Sequence, residues 1–149
     1  SNIPRPIVTI ETRQHTPVNL YFDDINIGEE IGTQSHKVTE KDILTFAEVT
    51  RDRHPLHTDR EYCKKTEFGK PIAHGLFGLS LMEGLKAESR IYEHTSIASL
   101  GWDEVRFLRP LFSGETVHVT FKFMEKRLSR KPGRGVVTES VKLLSEENE

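Results

Sequence analysis

The chain has 149 residues, 30% of them charged and 35% hydrophobic, with a formal net charge of −2. That is enough for one domain with a single core, and the near-neutral balance gives no electrostatic reason to expect nucleic acid as a partner. One cysteine, Cys63, excludes an intrachain disulfide and fits a reducing, cytoplasmic setting. No apolar run approaches the ~18 residues of a membrane span, and no signal peptide opens the chain.

Residues 1–20 carry Pro4, Pro6 and Pro17 around a β-branched stretch at 7–12. The prolines make this an N-terminal arm, with at most a short edge strand. The domain proper then spans 21–149. Residues 21–30 are a turn-rich lead-in, and 31–38 is expected as a first strand. Thr39 stands three residues before Asp42, a capping-box variant with Asp in place of Glu or Gln. Ile43, Phe46, Ala47 and Thr50 follow at helical spacing and predict an amphipathic helix over 40–50. Pro55 disfavours the α conformation at His54, so 51–58 is expected as irregular backbone.

Residues 58–66 predict a short polar helix or turn, and 68–71 a loop. From Gly75 to about Ile91 an apolar helix carries Leu76, Phe77, Leu79, Leu81, Met82 and Leu85. It also holds Gly75, Gly78 and Gly84. An interior glycine costs ~1 kcal/mol against alanine, which implies that something passes close to this helix. The last third reads as strands. Residues 96–107 are strand-like, with a break at Gly101, and 109–115 is a turn. Residues 116–123 alternate strictly, 131–135 is a hairpin-type turn, and 136–144 is the returning strand. The order predicts an α+β domain in which an antiparallel sheet packs on one long helix.

Several residues carry candidate chemistry. Asp52 and His57 combine a carboxylate (pKa ~3.9) with an imidazole (pKa ~6.5), a pair able to hold a water and exchange protons near neutral pH. Ordinary polar loop residues are the alternative. His54 and His57 have H-x-x-H spacing, but Pro55 breaks the helical register and no second ligand cluster is evident, so no metal is expected. His74-Gly75 opens the apolar helix, where free N–H groups stabilise developing negative charge. Close packing at Gly75 and a capping or buried role for His74 are the alternative. Lys126, Arg127, Arg130, Lys131 and Arg134 surround the hairpin and read as a solvated tip or as contacts to a ligand's phosphates. Cys63 has no evident basic partner and reads as structural.

Three stretches, taken together, resemble the MaoC-like dehydratases, the family that includes the (R)-specific enoyl-CoA hydratases. Residues 52–57 (Asp-Arg-His-Pro-Leu-His) match its D-x-N-P-L-H. Residues 68–75 (Phe-Gly-Lys-Pro-Ile-Ala-His-Gly) match F-x-x-P-I-x-H-G. Residues 107–115 (Phe-Leu-Arg-Pro-Leu-Phe-Ser-Gly-Glu) match F-x-x-P-x-F-x-G-D. The resemblance implies a hot-dog fold, with the sheet wrapped around the long helix, a homodimer or higher oligomer, and a pantetheine tunnel at the subunit boundary.

It places the catalytic acid and base on Asp52 and His57 and the oxyanion N–H on Gly75. It implies reversible addition of water to a trans-2-enoyl-CoA with no metal or redox cofactor. His54, His74, Leu76 and Phe77 are the expected substrate contacts, and Leu79 and Glu83 further candidates for the acyl pocket. A non-catalytic acyl-CoA-binding subunit and a hot-dog thioesterase are the alternatives. The sequence departs from the pattern in His54 for Asn, in Arg51 for a small residue, and in Glu115 for Asp. The family's last strand is not seen after residue 145. Either it is missing from the sequence or the arm at 7–12 takes its place.

Overall fold

The computed structural model describes residues 19–147. The expected arm, with its possible edge strand at 7–12, lies outside them up to residue 18, while Asn19 and Leu20 donate their N–H groups to the carbonyls of Arg90 and Ile91. A single 3-10 turn, Phe22–Asp24, leads in. Strands β1 (Glu30–Gly32) and β2 (His36–Lys37) follow, then helices α1 (Glu40–Thr50), α2 (Pro55–Thr58), α3 (Arg60–Cys63) and α4 (Gly75–Glu88), and finally strands β3 (Thr116–Leu128) and β4 (Gly135–Ser145). All strand pairings are antiparallel. Strand β3 is central, with β1 and β2 along one edge and β4 along the other.

Alternation makes β3 the floor of the core. Val117, Val119, Phe121 and Phe123 are fully buried on one face, and Thr116, His118, Thr120 and Lys122 point to the other. Burying each of the four contributes about 1.5–3 kcal/mol. Phe121→Ala, which opens a cavity between two layers, costs about 3–5 kcal/mol. Helix α4 lies across this face with Phe77, Gly78 and Leu85 inward, and Leu81 and Leu143 join the two halves of the core. At Gly78 an added Cβ would stand 3.4 Å from Leu143 Cδ2, an ordinary packing contact that shows how closely α4 lies on β4. A half-buried ion pair between Lys86 and Glu139, with the Tyr92 hydroxyl on the same carboxylate, ties α4 to β4. Burial, reinforced by the Glu139 charge, pushes the Tyr92 hydroxyl well above its ordinary pKa.

Three expectations need correction. The strand expected over 31–38 is two short strands. Gly32 pairs with Thr120 and His36 with Val117, so β1–β2 spends one more residue than β3 over the same span. This is a bulge. Thr33 fills it, donating its N–H to Val119 O (2.9 Å) and accepting the Val119 N–H on Oγ1 (3.0 Å).

Part of the expected irregular segment 51–58 is helical, because Pro55 opens α2 at its first position. Proline lacks only an N–H that the first turn does not use, and its fixed φ suits a helix start. Residues 96–109 form no strand, although their composition favours one. No sheet edge among the described residues pairs with them. Ile97, Leu100, Phe107 and Leu108 are exposed.

Helix α1 agrees with expectation. Thr39 Oγ1 accepts from Asp42 N and Asp42 Oδ2 from Thr39 N, each at 3.0 Å. The hairpin cation Lys126 is structural, donating to the carbonyls of Phe22 and Ile25. Cys63 is buried, its thiol directed at the carbonyls of Pro55 and Leu56, and burial raises its pKa.

Candidate active site

Helix α1 ends at Arg51, which takes the left-handed conformation (φ 72°, ψ 6°). This reversal turns the chain so that Asp52 leaves the helix axis, and Arg53 closes the turn on Glu48 with two bonds of 2.8 and 3.0 Å. His54 then caps α2, its Nδ1 accepting the Leu56 N–H at 3.0 Å. Asp52 is exposed at the loop, and His57 is half-buried at the end of α2.

Main-chain groups fix both ends of this segment. His57 Nδ1 is 2.7 Å from the carbonyl of Ile72. A carbonyl only accepts, so Nδ1 carries the proton and Nε2 keeps its lone pair. The Ile72 N–H in turn donates to Leu56 O at 3.0 Å. His74 Nε2 donates to the main-chain carbonyl of Asp52 at 2.8 Å. Its ring stacks on that of His57, with centroids 3.7 Å apart and planes inclined by 22°. The first and second motifs are thereby joined by three hydrogen bonds and a ring stack.

The third motif joins through Ala73 N–H to Leu111 O at 2.7 Å and through an isolated bridge between Ile72 and Phe112. Glu115 anchors it, accepting from Phe112 N (2.9 Å), Ser145 Oγ (2.6 Å) and Arg109 (3.2 Å). Burial alone would raise the Glu115 pKa. The Ser145 hydroxyl, the Phe112 N–H and the Arg109 charge outweigh it and hold the carboxyl below the ordinary value.

The reactive groups converge. An oxygen of Asp52, a nitrogen of His57 and a nitrogen of His74 all lie within 4.8 Å of one another. No hydrogen bond joins the Asp52 carboxylate to the His57 ring among the described residues. His57 is held neutral to lower pH than an ordinary histidine. Burial is the main cause and the neighbouring His74 and His54 add to it, against the Ile72 carbonyl and the Asp52 charge.

Two histidines and a carboxylate are also the donor types of a transition-metal site. His57 Nδ1 and His74 Nε2 each face a main-chain carbonyl, which leaves His57 Nε2 and His74 Nδ1 without a hydrogen bond among the described residues.

Gly75 is the first residue of α4 and is exposed, as is Leu76 beside it. Neither N–H has an acceptor among the described residues, as the geometry of a helix start dictates. The Phe107 ring lies directly on Gly75, where an added Cβ would stand 2.6 Å from its Cε2. Phe77 belongs to the core, edge-on to Phe46 at 5.6 Å. Leu79 is half-buried and Glu83 exposed. A cleft of about 570 Å³ reaches His57 between α1 and α3, lined by Leu44, Asp59 and Pro71 and by Glu40 and Arg60, themselves ion-paired at 2.5 Å. Sequence reasoning missed the Ile72 carbonyl, which no residue type signals, and the Phe107 ring, which the F-x-x-P spacing marked without placing.

An antiparallel sheet packed on one long helix defines the hot-dog class of domain. The family model described as MaoC like domain matches residues 24–144, and the chain belongs to that family. It is 30% identical over 121 residues to Protein MaoC of Klebsiella aerogenes, covering 81% of this chain but 35% of that protein. It is 30% identical over 128 residues to the 3-hydroxybutyryl-CoA dehydratase of Methylorubrum extorquens, covering 82% of this chain and 75% of that one. Among solved structures, the monoamine oxidase regulatory protein of Archaeoglobus fulgidus superposes with a TM-score of 0.81 at 41% identity, covering 88% of this chain and 87% of that one. The fold is thus the hot-dog fold of MaoC-like proteins. No helix among the described residues is long and apolar enough to cross a membrane.

Proposed function

We propose that this protein is a hydratase–dehydratase that adds water reversibly across the trans-2 double bond of an enoyl-CoA. The observation that carries the reading is the convergence of an Asp52 oxygen and a His57 nitrogen within 4.8 Å, beside the unpaired N–H groups of Gly75 and Leu76. A water held there donates one proton to the neutral Nε2 of His57 as its oxygen attacks Cβ. The Asp52 carboxylate accepts the water's other O–H and orients it, and the proton taken up by His57 is delivered to Cα, so one O–H bond breaks as the Cβ–O and Cα–H bonds form. The thioester oxygen gains charge as the enolate forms, and the Gly75 N–H at the positive end of α4 stabilises it. The enoyl thioester already activates the double bond, and each step uses groups of this chain alone.

The exposed apolar segment at 96–109, adjoining Gly75 through Phe107, suits a second copy of the chain, and a homodimer is the assembly proposed. The test is turnover of crotonyl-CoA, followed as loss of the conjugated thioester absorbance, in wild type, Asp52→Asn and His57→Ala. Each variant is expected to lose about 10²–10⁴-fold in turnover while remaining folded. Near-normal turnover in either would sink the mechanism. Release of free thiol without loss of the double bond would point to a thioesterase instead.

A further inference from the structure

We propose that His74 is the positioning residue of the dyad, one side chain that holds both Asp52 and His57 in register with the N-terminus of α4. The inference rests on the hydratase reading for its meaning but on independent contacts for its geometry. His74 is 4% exposed. It stands at the capping position of α4, yet its side chain makes no capping bond. Its polarity is turned elsewhere. Nε2 donates to the Asp52 carbonyl, fixing the backbone that carries the carboxylate. The flat of the ring covers the His57 ring and keeps water off that face. Phe46 backs it edge-on at 5.0 Å.

The other nitrogen, Nδ1, is buried without a hydrogen-bond partner among the described residues. Thr95 Oγ1 and His118 Nδ1 are buried in the same way, so it is the bond to the Asp52 carbonyl and the stack on His57 that mark the ring's placement. The charged and titratable groups that act on His57 are His74, Asp52 and His54. His74 touches the first of the dyad through a hydrogen bond and the second through a stack, so the two roles can be separated.

His74→Gln keeps an amide N–H near the Nε2 position and loses the stack. His74→Phe keeps the stack and loses the donor. Two readouts are compared with wild type: steady-state kinetics on crotonyl-CoA, and the titration of the His57 ring by nitrogen-15 NMR in the substrate-free protein. His74→Gln is expected to move the His57 titration up toward the ordinary 6.5. In His74→Phe it is expected to stay below that value. In both, kcat is expected to fall about 10–100-fold, with KM within about threefold, as for misplacement of a catalytic group by ~1 Å.

The proposal is overturned if kcat stays within about twofold of wild type in both variants, or if His57 titrates unchanged in His74→Gln. Should wild type turn over no enoyl thioester, the hydratase reading fails alone. The NMR comparison then still decides whether His74 positions His57.

Discussion

The ring of His54 accepts the backbone N–H of Leu56 through Nδ1 at 3.0 Å and so caps the helical turn that Pro55 opens. An asparagine, the residue of the family pattern, would offer its side-chain oxygen at the same place. His54→Asn should therefore leave stability within about 0.5 kcal/mol of wild type, whereas His54→Ala removes the cap at a cost of about 1 kcal/mol. Urea melts of the two variants check this. Equal losses would show that the cap contributes nothing.

Arg51 holds a left-handed conformation one residue before Asp52. A side chain there crowds the carbonyl, and glycine is the residue that relieves it. Arg51→Gly should stabilise the fold by about 1 kcal/mol, read as a higher urea midpoint at unchanged slope. A loss of stability would mean that the conformation is not strained.

The depressed pKa of His57 sets a pH dependence. The unfolded ring takes up its proton near 6.5, the folded ring only at lower pH. Between the two the unfolded chain binds more protons, so stability is full above about 6.5 and declines as pH falls toward the folded value. The neutral base persists over the same window. The acid limb of kcat/KM is therefore expected below 6.5, and His57→Gln should flatten the stability change across it. An acid limb above 6.5 would contradict the buried, neutral ring.

Glu115 follows the same sign at lower pH. Its folded pKa lies below the ordinary 4.5, so its contribution is present above that value and lost as pH falls through the folded one. Glu115→Gln weakens the bonds from Ser145, Phe112 and Arg109 and should cost about 1–2 kcal/mol at pH 7. The difference from wild type should vanish in acid, where the carboxyl is neutral too. A deficit that persisted in acid would show that shape, and not charge, is what Glu115 supplies.

Local signals were the legible ones. The Thr39–Asp42 box and the spacing from Ile43 to Thr50 mark α1, and the alternation from Thr116 to Phe123 marks β3, because both patterns are complete within a few residues. Asp52, His57 and Gly75 could be singled out by residue type and spacing. What brings them together could not, since His74 reaches Asp52 across 22 residues and His57 reaches Ile72 across 15. Residues 96–109 show the converse. Ile97, Val105 and Phe107 have strand propensity, but a strand exists only where another edge meets it. Pro55 was legible as a breaker and not as a starter, because the same ring serves both.

The anchors of the two site histidines are both main-chain carbonyls, those of Ile72 and Asp52. Every amino acid carries that group. At position 72 the side chain can therefore drift, as from Ile to Val, without removing what His57 holds, provided the backbone keeps its path. Mutational tolerance around this site is then set by conformation more than by residue identity, and a proline or an insertion between 71 and 74 would do more harm than most exchanges of side chain.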